Sequence, residues 1–131
     1  KGQKYSELKS LEKIDEITVK QFGLKYFIKG SPETEDVKAA REGLKEIKQV
    51  LKSGEYELVI LDEANIATLY DLYSVEELME AVKSRDEKVE VVITGRGADE
   101  KVIEDADLVT EMKEVKHYFQ NGVTARRGIE N

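Results

Sequence analysis

The chain has 131 residues and a formal net charge of −7, enough length for one domain with a single modest core and the wrong sign for a general nucleic-acid binder. With no cysteine and one histidine, disulfides, a thiolate metal site, a cysteine nucleophile and a multi-histidine zinc site within one chain are excluded. No apolar run approaches the roughly 18 residues of a membrane span and no signal-peptide pattern opens the chain, so no membrane partner is expected and the cytoplasm is the default location.

Lys1 stands where an initiator methionine would, so the amino terminus reads as lost or trimmed. Residues 14–22, "IDEITVKQF", alternate apolar and polar with β-branched side chains and predict a strand. The next stretch, "FGLKYFIKG", gathers Phe22, Tyr26, Phe27 and Ile28. Core packing is the usual fate of such a cluster. A platform for a flat, largely apolar ligand is the sharper alternative.

A helix is predicted over 31–54, with Ser31 as N-cap, Pro32 behind it, acidic residues in the first turn and Gly54 as the stop. Val37, Ala40, Leu44, Ile47 and Leu51 share one face. The run "LVIL" at 58–61 predicts a strand buried on both faces and ends on the carboxylates Asp62 and Glu63. "SVEELMEAVKSR" opens a second helix with Ser74 as N-cap, Glu77 in the capping-box position and Val75, Leu78, Met79 and Val82 as its stripe. "VEVVIT" at 89–94 predicts another strand, 98–105 a short helix and 108–112 a weaker strand. Strands alternating with helices indicate a single α/β domain over 1–131 with a mainly parallel sheet.

Ligands of open parallel sheets bind beyond the carboxyl ends of the strands. Two strand ends here carry unusual residues: Asp62-Glu63 after "LVIL", and the "TGRG" of residues 94–97 after "VVI". An apolar strand ending in acids resembles a Walker B motif, yet no G-x-x-x-x-G-K-[ST] loop occurs in the chain. Taken alone, the acid pair reads somewhat better as a cap for a following helix. The metal reading rests on two adjacent hard oxygen donors suited to Mg²⁺. "TGRG" is either an ordinary glycine-rich turn or a loop through which Thr94 and Arg96 reach phosphate, the arginine with its planar fork. The segment "VKHYFQNGVTARRGIEN" concentrates Lys116, His117, Arg126 and Arg127 in an acidic protein. It reads as a loop folded over a ligand rather than a solvated tail, because Tyr118 and Phe119 would be wasted in a tail.

Taken together, "LVILDEANIATLYDLYSVEELMEAV", "VVITGRGADEKVIEDADLVTEM" and "VKHYFQNGVTARRGIE" closely resemble the P-loop type of ATP:corrinoid adenosyltransferase over essentially the whole chain. The resemblance implies an α/β fold of the RecA-like kind, a three-layer sandwich, and a homodimeric enzyme. It implies transfer of the 5′-deoxyadenosyl group of ATP to Co(I) of a corrinoid, cob(I)alamin or a precursor, with release of triphosphate. The cobalt of the substrate is then the nucleophile, and no catalytic side chain is required. By position, Glu63 resembles the acidic Mg²⁺ ligand with Asp62 beside it. Arg96 and His117 resemble nucleotide-site residues, and a separate reductase would supply electrons. Some family members place a phenylalanine and a tryptophan against the corrin; here Tyr26 takes the first position, Ile28 replaces the tryptophan, and Phe27 is a substitute contact.

The resemblance also implies that a strand–P-loop–helix–strand unit is missing before "KGQKYSEL", so that the 131 residues alone would be inactive. The alternative expectation is a non-catalytic remnant that binds a corrinoid or a partner without ATP.

Overall fold

A computed structural model describes residues 6–24, 26, 28 and 30–129. Its elements run α1 (Ser6–Leu11), α2 (Thr34–Ser53), β1 (Leu58–Leu61), α3 (Ala64–Leu69), α4 (Val75–Lys83), β2 (Glu90–Ile93), α5 (Glu100–Asp105) and a 3₁₀ turn (Tyr118–Asn121). Four of the five residues of the predicted apolar stripe of α2 pack as expected: Leu51 is fully buried, and Ala40, Leu44 and Ile47 lie against the core, while half-buried Val37 is not part of that cluster. Gly54 closes the helix at φ 65°, a left-handed conformation that favours glycine.

The start of α2 differs from the expectation. Its N-cap is Glu33 rather than Ser31, and the buried Asp36 carboxylate accepts a hydrogen bond from the Glu33 N–H at 3.0 Å. The later start gains a capping box between Glu33 and Asp36, which Ser31 with Thr34 three residues on would not supply. At α4 the sequence reading holds. The Glu77 N–H donates to Ser74 Oγ at 3.1 Å, and the Ser74 N–H donates to Glu77 Oε2 at 2.7 Å. This reciprocal capping box satisfies two donors that the first turn would otherwise leave open.

β1 and β2 pair in parallel with Leu58 opposite Glu90 and Leu61 opposite Ile93. Their inward face, with Val59 and Leu61 buried, packs with Leu51 of α2 and with Leu78 and Val82 of α4. The expectation of burial on both faces is not met among the described residues: Leu58 and Ile60 are 50% and 57% exposed, and Val92 43%. Every second side chain of a strand points away from the covering helices, and none of the described residues covers that side.

Two predicted strands are absent among the described residues. Residues 14–22 and 108–112 form no ladder, and Ile14, Ile17, Val19, Leu108, Val109 and Met112 are exposed. Alternation gives a segment one apolar face, but a strand also needs a neighbour with free backbone groups. The sheet of the described residues consists of β1 and β2. α1, α3 and the 3₁₀ turn lack the length for a periodic signal, which is why the sequence did not predict them.

Tyr73 joins the buried core, and burial pushes its hydroxyl up to about 12 from the usual 10.0. The folded state therefore holds its proton over a pH range in which the unfolded chain has released it. Stability from this residue is complete below pH 10 and falls as pH rises from 10 toward 12, by about 2–3 kcal/mol. Urea unfolding at alkaline pH should show this decline, and Tyr73→Phe should flatten it.

Candidate functional site

Because β1 and β2 run parallel, their carboxyl ends open on the same edge, and the two loops predicted to carry chemistry meet there. Thr94 holds them together. Its hydroxyl donates to Asp62 Oδ1 at 2.8 Å and accepts from the Glu63 N–H at 2.9 Å. The Asn65 N–H donates to the Thr94 carbonyl at 3.1 Å, and Asn65 Nδ2 donates to the Gly95 carbonyl at 3.2 Å. Thr94 therefore spends its hydroxyl on the acid pair, whereas one of the two sequence readings of "TGRG" had it reaching a phosphate.

Glu63 serves as the N-cap residue of α3 at φ 61° and ψ 21°, a left-handed backbone that few non-glycine residues adopt. Gly95 lies directly against it at φ 115°. A Cβ there would sit 3.2 Å from the Ile66 nitrogen and 3.3 Å from the Glu63 Cα, so only glycine fits this approach without backbone movement. Asn65 is 5% exposed, and its Oδ1 has no hydrogen-bond partner among the described residues.

The donor set suits a hard divalent cation. Asp62 is exposed, and one of its carboxylate oxygens is taken by Thr94. The half-buried Glu63 carboxylate is engaged by no hydrogen bond or ion pair of the described residues. No group of three potential metal ligands exists among the described residues. An ion held by one or two carboxylates plus waters and phosphate oxygens is the ordinary habit of Mg²⁺, so the pair fits it.

The other predicted site residues are placed less closely. Arg96 is exposed in the loop after Gly95. His117 caps the 3₁₀ turn, its Nδ1 accepting from the Phe119 N–H at 3.0 Å, and its ring lies 4.6 Å from that of Tyr118. These partners are local, and none belongs to the two strand-end loops. The Arg126 guanidinium stands 5.1 Å from the Tyr118 ring, within cation–π range. Tyr26 is 53% exposed beside the start of α2. Desolvation raises its hydroxyl pKa, and the carboxylates of Asp36, Glu33 and Glu35 push the same way. Phe27 lies outside the described residues. Ile28 is half-buried. Sequence reasoning left Asn65 without a role; its position two residues after the acid pair was the available signal.

Comparison with known proteins shows the family. The family model described as "ATP:corrinoid adenosyltransferase BtuR/CobO/CobP" matches residues 1–131. A corrinoid adenosyltransferase of Sinorhizobium sp. is 41% identical over 96 residues, covering 72% of this chain and 45% of that protein. Corrinoid adenosyltransferases of Escherichia coli K12 and Pseudomonas aeruginosa are 38% and 39% identical over 95 residues, covering 72% of this chain and 48% and 47% of their own lengths. The matched part of the chain thus spans about half the length of these curated relatives. The chain belongs to the ATP:corrinoid adenosyltransferase family.

Proposed function

We propose that this chain is the acid-pair portion of an enzyme that transfers the 5′-deoxyadenosyl group of ATP to Co(I) of a corrinoid. A bond forms between cobalt and C5′, the C5′–oxygen bond breaks, and triphosphate leaves with the bonding pair. Because the substrate cobalt is the nucleophile, the protein's tasks are to position two reactants and to stabilise charge on the leaving group. The observation that carries this reading is the joined pair of strand ends, which sets Asp62 and Glu63 beside the glycine loop in a chain of this family.

Asp62 and Glu63 would hold Mg²⁺, which supplies Lewis-acid neutralisation of the triphosphate. Arg96 and His117 would contact the nucleotide, and Tyr26 and Phe27 the corrin. The finer fold belongs to the same proposal. In a RecA-like three-layer sandwich, a strand–P-loop–helix–strand unit not contained in these residues would cover the apolar face at Leu58, Ile60 and Val92. That unit would also supply the phosphate-binding lysine and backbone amides. The 131 residues by themselves would then turn nothing over. A homodimer and an electron-donating reductase complete the expected partners. Membership of the family does not favour the reading of a non-catalytic binding remnant.

Binding separates these readings. The complete gene product should bind MgATP and cob(II)alamin in calorimetric titrations, each with saturable one-site behaviour per chain. Binding of the corrinoid without ATP would favour the remnant, and binding of neither would overturn the proposal.

A further inference from the structure

The most heavily determined feature of the site is the Thr94 hydroxyl. It is hydrogen-bonded on both sides, to the side chain of Asp62 and to the main chain of Glu63. A threonine present only to quiet an open backbone donor would need to accept from the Glu63 N–H and nothing more. Here the hydroxyl proton is also committed, and it fixes one oxygen of an exposed carboxylate that water could satisfy equally well. The left-handed backbone of Glu63 points the same way. Such a conformation persists at a non-glycine residue only where surrounding contacts over-determine it. Those contacts are the Thr94 hydroxyl, the Asn65 links to the Thr94 and Gly95 carbonyls, and the close approach of Gly95.

We infer that Thr94 is a positioning residue, whose hydroxyl sets the Asp62 carboxylate and the Glu63 backbone in the geometry that receives the divalent cation. This rests on the proposed metal role of the acid pair. Groups that orient metal ligands in this way typically carry about 10–100-fold in metal affinity. Asn65 acts with it by holding the second loop in register.

The test is Mn²⁺ binding, with Mn²⁺ standing in for Mg²⁺, followed by electron paramagnetic resonance in the complete gene product with ATP present. Thr94→Val should weaken Mn²⁺ binding by about 10-fold or more, and Thr94→Ser, which keeps the hydroxyl, should stay within about 3-fold of wild type. Wild-type affinity in a folded Thr94→Val protein overturns the inference, as does an equal loss in Thr94→Ser. Should Thr94→Val fail to fold, Thr94→Cys offers only a weak S–H donor at the same place. An intermediate loss in Thr94→Cys supports the inference and wild-type affinity overturns it. A purely structural threonine would lower the unfolding midpoint without moving Mn²⁺ affinity. Glu63→Ala separates the two levels. If it binds Mn²⁺ as wild type does, the metal reading itself falls and the inference falls with it. If it loses Mn²⁺ while Thr94→Val keeps it, only the role of Thr94 is refuted.

Discussion

Glu63→Ala in the complete gene product should lower the rate of corrinoid adenosylation at saturating ATP by about 100-fold or more, equivalent to roughly 2.7 kcal/mol of transition-state stabilisation. In the proposed reaction charge accumulates on the triphosphate as the C5′–oxygen bond breaks, and a cation held at Asp62 and Glu63 would neutralise it. The effect should fall mainly on kcat, because the interaction strengthens as the leaving group departs. Glu63→Gln keeps the shape and a single acceptor oxygen but loses the charge, so it should recover only a small part of the rate. Steady-state kinetics at several Mg²⁺ concentrations check the claim. A variant with wild-type kcat and unchanged Mg²⁺ dependence would remove Glu63 from the site.

The largest expected effect on stability lies at Leu78, which is fully buried in the core under β1. Leu78→Ala should cost about 2–5 kcal/mol, the sum of lost burial and of the cavity left behind. Neighbouring Leu51, also fully buried, belongs to α2, and a helix anchored by its own cap cannot easily close the gap. Urea unfolding of the complete gene product should show a lower midpoint with an unchanged slope. A cost below about 1 kcal/mol would mean that the site collapses freely, contrary to the packing described.

The parts of the fold that the sequence disclosed are those in which one local rule decides the outcome. Ser74 and Glu77 form a box because their spacing suffices, and "LVIL" and "EVVI" become strands because they are short, apolar and matched to each other. Residues 14–22 misled because alternation says nothing about whether a pairing edge exists. The helix start shifted to Thr34 because Glu33 and Asp36 form a capping box there, a pairing that Ser31 and Thr34 cannot make. At the site, residue types and strand-end placement were legible. The role of Thr94 was not, because the hydrogen bonds that reassign it join residues about 30 positions apart along the chain. The nucleotide role of His117 and the corrin role of Tyr26 came from the resemblance, and their local partners do not tie them to the acid pair.

The measurement that bears most directly on the whole account is product stoichiometry. The complete gene product, given ATP, Mg²⁺ and cobalamin reduced to Co(I), should form one cobalt–carbon-bonded adenosylcorrinoid for each triphosphate released. Cleavage of ATP to ADP and phosphate with no cobalt–carbon bond formed would contradict it.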